Sequence, residues 1–556
     1  MKLNYLQPDP ILTKKYMEEL ELPLFIAKIL ATRKFDSEHQ ILDFLLTEEK
    51  LSDPFGLPDM KRVCERLTNA LMKQEQITIC GDYDVDGTLA TTILLRFLRH
   101  AGAKVNFFIP HRTKDGYGIS DDTMQFLHDT YGTKVAISVD TGTTAFDAAH
   151  KAKELGMDLI VTDHHNLSDE GIPPVYALVN AKLLPDPNNA YGILAGAGVA
   201  YFIIRALNVY WKETDLFRPI EENDYSVLAM MATIADVMPL KDNNRVIVKY
   251  GLRNLPHCRI EGMNALFAEL AIHSPVAKDI AWRFSPVINA AGRMGSATQA
   301  LDLFIETNKL QALTKAKDLI ALNNQRRKVS ETVNKDVLKE ADRIVAESNP
   351  PVIVVSGPFH VGVIGISAAK IVDKYKRPAM VIGLDETGYG KASCRTIPGF
   401  NVKKALDYAK DHHLGGGGHD MAAGFSINKE QIPGFTQSVT EYFNSHPPIE
   451  EQTITVECTL DYTELTTQAI KLIEMLEPFG QDNPAPIVRI NNCVVSEQKE
   501  IRGGGVMFTL DNEVRALIFS ADEETKKNTL KKFDAVGEIT AQKGQMRFII
   551  KEIIKN

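Results

Sequence analysis

Gly81-Asp82-Tyr83-Asp84-Val85-Asp86-Gly87 follows directly on the apolar run Ile77 to Cys80 and leads into a helical stretch from Thr88 to His100. A short apolar run, an acidic turn bounded by glycines and then a helical pattern predict a strand, a loop carrying carboxylates, and a crossover helix. The arrangement recurs. The predicted strand Lys134 to Val139 runs into Asp140-Thr141-Gly142 and then the helical stretch Ala145 to Leu155, and Leu159 to Thr162 runs into Asp163-His164-His165. With Val105 to Ile109 as a further strand, the alternation from about Gln76 predicts a parallel sheet with crossover helices. Ligands of such sheets bind outside the carboxyl ends of the strands, so these three acidic turns are expected to meet in one crevice.

Five carboxylates in one crevice repel one another unless positive charge is supplied. Divalent cations supply it, and a donor set of carboxylate oxygen and imidazole nitrogen suits Mn2+ or Mg2+, with the histidines favouring Mn2+. Two such ions about 3.5–4 Å apart would hold the attacking and leaving oxygens of a phosphoryl displacement. One Asp-x-Asp triplet alone is common in surface loops. Adjacent charges placed directly after an apolar run, as at Asp163-His164-His165, need a reason to be there.

Outward from this unit, 556 residues exceed one hydrophobic core and imply several domains. A 44% hydrophobic and 24% charged composition is that of a globular chain, and a net charge of -9 argues against a uniformly basic nucleic-acid coat. Residues 1–54 read as helical and 55–297 as the acidic α/β unit. Residues 298–347 form a long charged helical connector whose Val329, Val333 and Val337 make a narrow apolar stripe. A second α/β unit spans 348–445, opening with the strand Val352 to Val355 and closing near Phe425. Beyond His446-Pro447-Pro448, residues 446–556 carry short alternating strands from Thr453 onward, Gly-rich turns such as Arg502 to Gly505, and one helix, Thr466 to Leu476. That pattern predicts a small β-barrel of OB type. The fold class is thus α/β multidomain, with a C-terminal barrel.

Six cysteines without a CxxC pair imply reduced thiols in a reducing compartment. The apolar stretch Leu194 to Trp211, interrupted by Arg205, reads as a buried helix and not a membrane span, and MKLNYLQPDP lacks a signal layout. A cytoplasmic protein is expected.

GDYDVDG, VDTG and VTDHH resemble the first three signatures of the DHH phosphoesterases, and Ile234 to Leu240 (IADVMPL) resembles the fourth. Ile288 to Met294 (INAAGRM) follows, and Gly415 to Gly424 (GGGGHDMAAG) is similar to the glycine-rich signature of the DHHA1 domain. Leu476-Glu477-Pro478-Phe479-Gly480, with Asn483-Pro484 just beyond, resembles the start of the C-terminal domain of the RecJ exonucleases. The full set in this order identifies the chain, from about Leu51 to its end, as similar to that family. The resemblance implies a 5′→3′ exonuclease specific for single-stranded DNA, using two divalent ions, Mn2+ or Mg2+, and releasing 5′-mononucleotides in repair and recombination. It implies Asp84, Asp86, Asp140, His164 and Asp236 as metal ligands, and Asp82 and Asp163 as ligands or their immediate neighbours. His165 would be a ligand, a general acid or a phosphate contact, and Asn289 would position substrate or water. Asp236 carries no signal of its own, since an Asp after a helical run is usually a cap.

Several positions depart from the family pattern. Cys80 stands where some members have His. Lys391 to Thr396 reads KASCRT where Gly-Ser-Gly-Arg-Ser is the pattern, Asp420 replaces a small residue, and Asp482 replaces the usual Gly before Asn-Pro. None is in the metal set.

For substrate, the run up to Gly417, Gly418 and His419 would let backbone N–H groups approach phosphate, with His419 adding a donor; the alternative is a flexible hinge. Arg293 and Arg395, with Ser393, are candidate phosphate contacts, the arginines because guanidinium grips two oxygens. Arg326, Arg327 and Lys328 on the connector are a solvated face or a backbone track. The barrel would add a platform for unpaired bases, and a narrow channel between the α/β units would exclude a duplex. Single-strand-binding protein and a RecQ-type helicase are partners the resemblance implies, with the enzyme a monomer. Two other readings compete: a DHH/DHHA1 phosphodiesterase of short oligonucleotides or cyclic dinucleotides, which would lack the C-terminal barrel, and a non-catalytic DNA-binding factor, which would have lost acids.

Overall fold

Ile77–Gly81, Val135–Val139 and Ala177–Val179 are buried along their whole length, as strands covered on both faces must be. They belong to a five-stranded, all-parallel sheet in the order Val105–Phe108, Ile77–Gly81, Val135–Val139, Asp158–Thr162, Ala177–Val179. The chain leaves Ile77–Gly81 toward one edge, then crosses back to build the other side. The switch point therefore lies between Ile77–Gly81 and Val135–Val139, where the first two acidic turns emerge. The computed structural model describes residues 2–33, 35, 37–46, 51–110, 118–168, 170–448, 453–465, 467–501, 505–510, 514–519, 531–542 and 545–554.

Helices Val85–His100, Gly196–Thr214 and Asn223–Ala235 pack on this sheet through one core that includes Ile93, Phe97, Phe202, Met230 and Trp211. The apolar stretch expected as a buried helix is the second of these, and no helix among the described residues is long and apolar enough to cross a membrane.

The connector is two helices, Thr298–Ile305 and Lys309–Ser348, where the sequence predicts one unbroken segment. The break follows from local capping: Glu306 accepts from the N–H groups of Thr307 and Asn308, and Asn308 Oδ1 accepts from Leu310 and Gln311. Forty residues make the second helix about 60 Å long. Ala312, Ala316 and Leu319 lie in the first core. Val333 and Val337, two of the predicted stripe, are buried with Ile353, Val355 and Ile371 in the next domain, and Val329 packs against them. One rigid element thus contributes to two cores.

That next domain has a mixed sheet in the order Gly416–His419, Ala422–Asn428, Tyr389–Arg395, Ala379–Leu384, Ile353–Gly357. Only the last pair is parallel. The domain continues past Phe425 into helix Ile432–Ser445, whose Phe435 and Val439 close its core.

At the C-terminus, strands Ile487–Ile501, Gly505–Leu510, Arg515–Ile518, Gln545–Ile554 and Lys532–Gln542 pair in a ring, because the first and last also pair. This is the expected closed barrel, with helix Thr467–Leu476 against it. Thr466 and the turn residues Arg502, Gly503 and Gly504 lie outside the described residues. Thr453–Val456 does not join the ring: it pairs in parallel with Lys2–Tyr5, a strand in a segment read as helical. Helices Pro10–Glu19, Leu24–Thr32 and Glu38–Leu46 follow that strand, and Phe25, Ile26, Ile29 and Leu30 share a core with Leu460, Ile473, Val488 and Ile490. The two ends of the chain therefore fold as one body.

Candidate metal centre

Asp84 caps the helix Val85–His100, its Oδ1 accepting from Gly87 N–H at 3.0 Å. Gly87 is required there: a Cβ would stand 2.6 Å from the Asp82 backbone. Asp86, in the first turn of the helix, is 1% exposed and accepts from Gly196 and Ala197 N–H at 2.6 and 2.8 Å. These are the first N–H groups of helix Gly196–Thr214, so a helix's positive end is aimed at a buried carboxylate. The same Gly196 lies so close to Asp140 that a Cβ would sit 2.6 Å from the Asp140 Cβ. Asp140 itself has φ +60°, a left-handed conformation that Asp tolerates better than most residues.

After Asp158–Thr162, Asp163 is fully engaged. Its Oδ1 accepts from His164 N–H, His165 N–H and His165 Nδ1 (2.7, 3.1 and 2.7 Å), and its Oδ2 from Thr143 N–H and Oγ1 (3.0 and 2.7 Å). Asn180 Nδ2 donates to Thr143 Oγ1 and the His165 carbonyl. Asp163 thus orients His165, while His164 turns to the acids. Its Nε2 is 3.1 Å from Asp140 Oδ1 and 3.9 Å from both Asp86 Oδ2 and Asp236 Oδ2. Asp236 arrives as the C-cap of helix Asn223–Ala235.

All seven sequence-derived metal candidates are therefore together. Their potential ligand atoms form three sets, each within 4.8 Å: Asp82, Asp84 and Asp140; Asp86, His164 and Asp236; and Asp140, Asp163, His164 and His165. Burial, and then the neighbouring Asp84 charge, pushes Asp86 up to about 7. Burial and the Asp86 and Asp84 charges push Asp236 to about 8, and burial with the Asp86, Asp84 and Asp236 charges raises Asp140 well above the carboxylate range. Burial and the neighbouring His165 charge hold His164 down at about 3. For His165, burial is outweighed by the Asp163 hydrogen bond and charge, which raise it to about 9. Burial would raise Asp163, but the His165 hydrogen bond and charge hold it below its usual range.

A buried carboxylate cluster that cannot ionise fully on its own, beside a neutral imidazole, is a donor set for a divalent cation. Asp140 Oδ1 is buried and accepts no hydrogen bond among the described residues. Ligand atoms around an octahedral ion with bonds of about 2.1 Å stand roughly 3 Å apart, close to the His164–Asp140 spacing. The residues fit Mn2+ or Mg2+.

The second domain reaches this cluster. The His419 ring lies 5.8 Å from that of His165, inclined at 21°. The glycine run before it is a strand paired with Ala422–Asn428, not a hinge. Gly417 is open: among the described residues nothing lies within 4 Å of where a Cβ would stand, whereas a Cβ on Gly418 (φ +148°) would meet the Ala422 carbonyl at 2.5 Å. Arg293 Nη1 donates to the Gly362 carbonyl across the domain boundary at 3.3 Å. Gly292, on the same helix Ser285–Met294, abuts the Tyr83 carbonyl between the first two acids, with Asn289 one turn earlier on that face. Arg395 Nη1 donates to Ser393 Oγ, and both side chains border Gly365 in the first turn of helix Ile364–Tyr375. Of the connector cations, Arg326 donates to Asn323 Oδ1, while Arg327 and Lys328 sit on the outward side of the helix. All six cysteines are free and buried.

Residue patterns pointed to none of the supports: Thr143, Asn180, and the Gly196 and Ala197 N–H groups. The one signal was Gly196-Ala197-Gly198 at the head of an apolar helix, which marks close packing without saying against what.

Models of the DHH family N-terminal domain, the DHHA1 domain and the RecJ OB domain match residues 76–235, 349–445 and 456–554. The single-stranded-DNA-specific exonuclease RecJ of Bacillus subtilis is 33% identical over 92% of this chain and 64% of its own length. That of Haemophilus influenzae is 30% identical over 79% of each. The chain thus spans just under two thirds of the length of the Bacillus relative. The crystal structure of RecJ from Thermus thermophilus in complex with Mn2+ superposes with a TM-score of 0.83 at 28% identity, covering 100% of this chain and 80% of that one. Shared domains in a shared order, together with this likeness over most of the chain, place it in the RecJ family.

Proposed function

We propose that the protein is a metal-dependent exonuclease that hydrolyses single-stranded DNA from the 5′ end, releasing 5′-mononucleotides in DNA repair and recombination. The observation that carries this reading is the meeting of four acidic segments with His164 in one crevice that the His419 hairpin of the second domain reaches. Two ions are favoured because two of the donor sets share no residue: Asp82, Asp84 and Asp140, and Asp86, His164 and Asp236. When bound, the ions would supply Lewis acidity and charge neutralisation to a phosphodiester.

The chain's own residues have distinct tasks. Asp163 orients His165 through its Nδ1 and strengthens its hold on a proton, and His165, facing His419, contacts phosphate or donates a proton to the leaving oxygen. Asn289 orients substrate. Arg293 and His419 hold the phosphate near the cluster. Ser393 and Arg395, with the first turn of helix Ile364–Tyr375 and the solvent-exposed Gly417 and Gly418 backbone, hold the neighbouring phosphate. The barrel provides a surface for unpaired bases. We assign residues 55–297, 298–347, 348–445 and 446–556 to the catalytic domain, connector, DHHA1 domain and barrel, with 1–54 docked on the last. The protein acts in the cytoplasm as a monomer, with single-strand-binding protein and a RecQ-type helicase as candidate partners.

A 5′-labelled single strand, beside the same strand in a blunt duplex, tests this reading. Labelled mononucleotide should appear at once from the single strand only, stop with EDTA and return with Mn2+. Equal rates on both substrates, or faster hydrolysis of a dinucleotide than of a long strand, would contradict it.

A further inference from the structure

Two sequence signatures that lie far apart touch each other in the segment that follows Asp236. Asp236 is followed by Val237, at φ +55°, a conformation that a β-branched residue rarely adopts. The Val237 side chain is 66% exposed, so its own packing does not impose that conformation. What holds the segment is on either side. From within, Asn244 Nδ2 donates to the Pro239 carbonyl at 3.1 Å. From the C-terminal domain, the Gln481 carbonyl accepts from Leu240 N–H at 2.8 Å, and Asp482 pairs with Lys241 at 3.5 Å. Gly480 packs so tightly that a Cβ would stand 2.7 Å from Leu240 Cδ1. Asp482 stands where Gly is usual, and its φ of +58° explains the preference for glycine there.

Arg245 locks this contact. It is 3% exposed, in the first turns of helix Asp242–Asn254, which begins just beyond the segment. Its Nη2 donates to the carbonyls of Met475 and Glu477 at 3.2 and 2.9 Å, at the end of helix Thr467–Leu476, and to that of Phe44 at 2.9 Å. Its guanidinium also lies 3.8 Å over the Phe44 ring. A cation at the carbonyl end of one helix, reaching a third segment of the chain, joins the catalytic domain to both ends of the polypeptide.

We propose that the 475–482 turn of the C-terminal domain, fastened by Arg245, is a positioning element for Asp236, so that the metal centre is completed by the barrel domain as well as by the domain that carries its ligands. The inference rests on the assignment of Asp236 as a ligand. It gives the Leu476-to-Pro484 signature a role apart from DNA contact: it braces a strained backbone that delivers a carboxylate.

The test uses full-length, metal-stripped Arg245→Met and Gly480→Leu proteins, titrated with Mn2+ by calorimetry without DNA. At least one ion should bind about 10-fold or more weakly in each variant, with the far-UV spectrum and cooperative unfolding retained. Arg245→Lys should recover part of the loss. On bis(p-nitrophenyl) phosphate, too small to reach the barrel, kcat should fall with little change in KM. Mn2+ affinity within twofold of the parent in both folded variants would overturn the proposal. If Arg245→Met does not fold, Gly480→Leu decides alone, since it adds bulk against Leu240 and removes no hydrogen bond. A parent that binds no Mn2+ would overturn the metal reading and this inference together; a parent that binds Mn2+ without cutting DNA would count against the nuclease reading alone.

Discussion

The acid cluster and the His419 hairpin face each other, yet they are built in opposite ways. Asp86, Asp140 and Asp163 are each no more than 3% exposed and sit just after largely buried strands or at the head of a buried helix. The Gly416–His419 strand is the edge of its sheet and is exposed throughout. Burial makes the carboxylates' charge repulsion severe, which suits binding of doubly charged ions. Exposure and the missing side chains leave the hairpin backbone open to a phosphate chain. In the proposed reading, chemistry falls to the buried side and grip to the accessible side.

This contrast can be broken first at Asp140. Asp140→Asn should lower the rate of DNA hydrolysis by about 10^3-fold or more. It should also raise the melting temperature of the metal-free protein by about 2–4 °C, because it removes one of the mutually repelling buried groups. A lower metal-free melting temperature in a folded variant would argue that the cluster is not electrostatically strained.

Asp163→Asn probes the support beneath His165 and should cost about 10–100-fold in activity or Mn2+ affinity. With the carboxylate gone, burial dominates, and the His165 titration followed by NMR should move down from about 9 toward or below its ordinary value.

A third prediction concerns pH. In the metal-free protein, Asp86 and Asp236 titrate at about 7 and 8, and His165 at about 9, against ordinary values of 3.8, 3.8 and 6.5. For each group the folded state holds its proton to higher pH than the unfolded chain does. Their combined contribution to stability therefore falls as pH rises from about 6.5 to 9. Thermal unfolding should show that decline, and Mn2+ should raise the melting temperature more at pH 8.5 than at pH 6.5. An upward slope in the metal-free protein would contradict the assigned shifts.

The smallest effects sharpen the picture on the hairpin side. Gly418→Ala should weaken activity on single-stranded DNA about 10-fold, since its Cβ would strike the Ala422 carbonyl at φ +148°. Gly417→Ala meets nothing within 4 Å among the described residues and should change KM by no more than about threefold unless phosphate lies against that backbone.

The acidic turns were legible because each followed a short apolar run, a place where charge needs a partner. Asp236 was not, because a helix C-cap looks the same whether or not it faces a metal, and the family resemblance alone put it forward as a candidate. The parallel sheet could be read from the alternation of strand and helix patterns, and the barrel from its short strands. The pairing of Lys2–Tyr5 with Thr453–Val456 could not be read, since contacts between segments some 450 residues apart leave no local periodicity. The break at residues 306–308 was hidden for a different reason: Asn308 caps a new helix inside a stretch whose helical pattern is continuous. The N–H groups of Gly196 and Ala197 that hold Asp86 were invisible because backbone donors have no residue identity.

The most direct measurement is anomalous diffraction at the manganese edge from crystals grown with Mn2+. Two peaks are predicted, one among Asp82, Asp84 and Asp140 and the other among Asp86, His164 and Asp236. Density without manganese there, or ions bound only elsewhere on the molecule, would contradict the account.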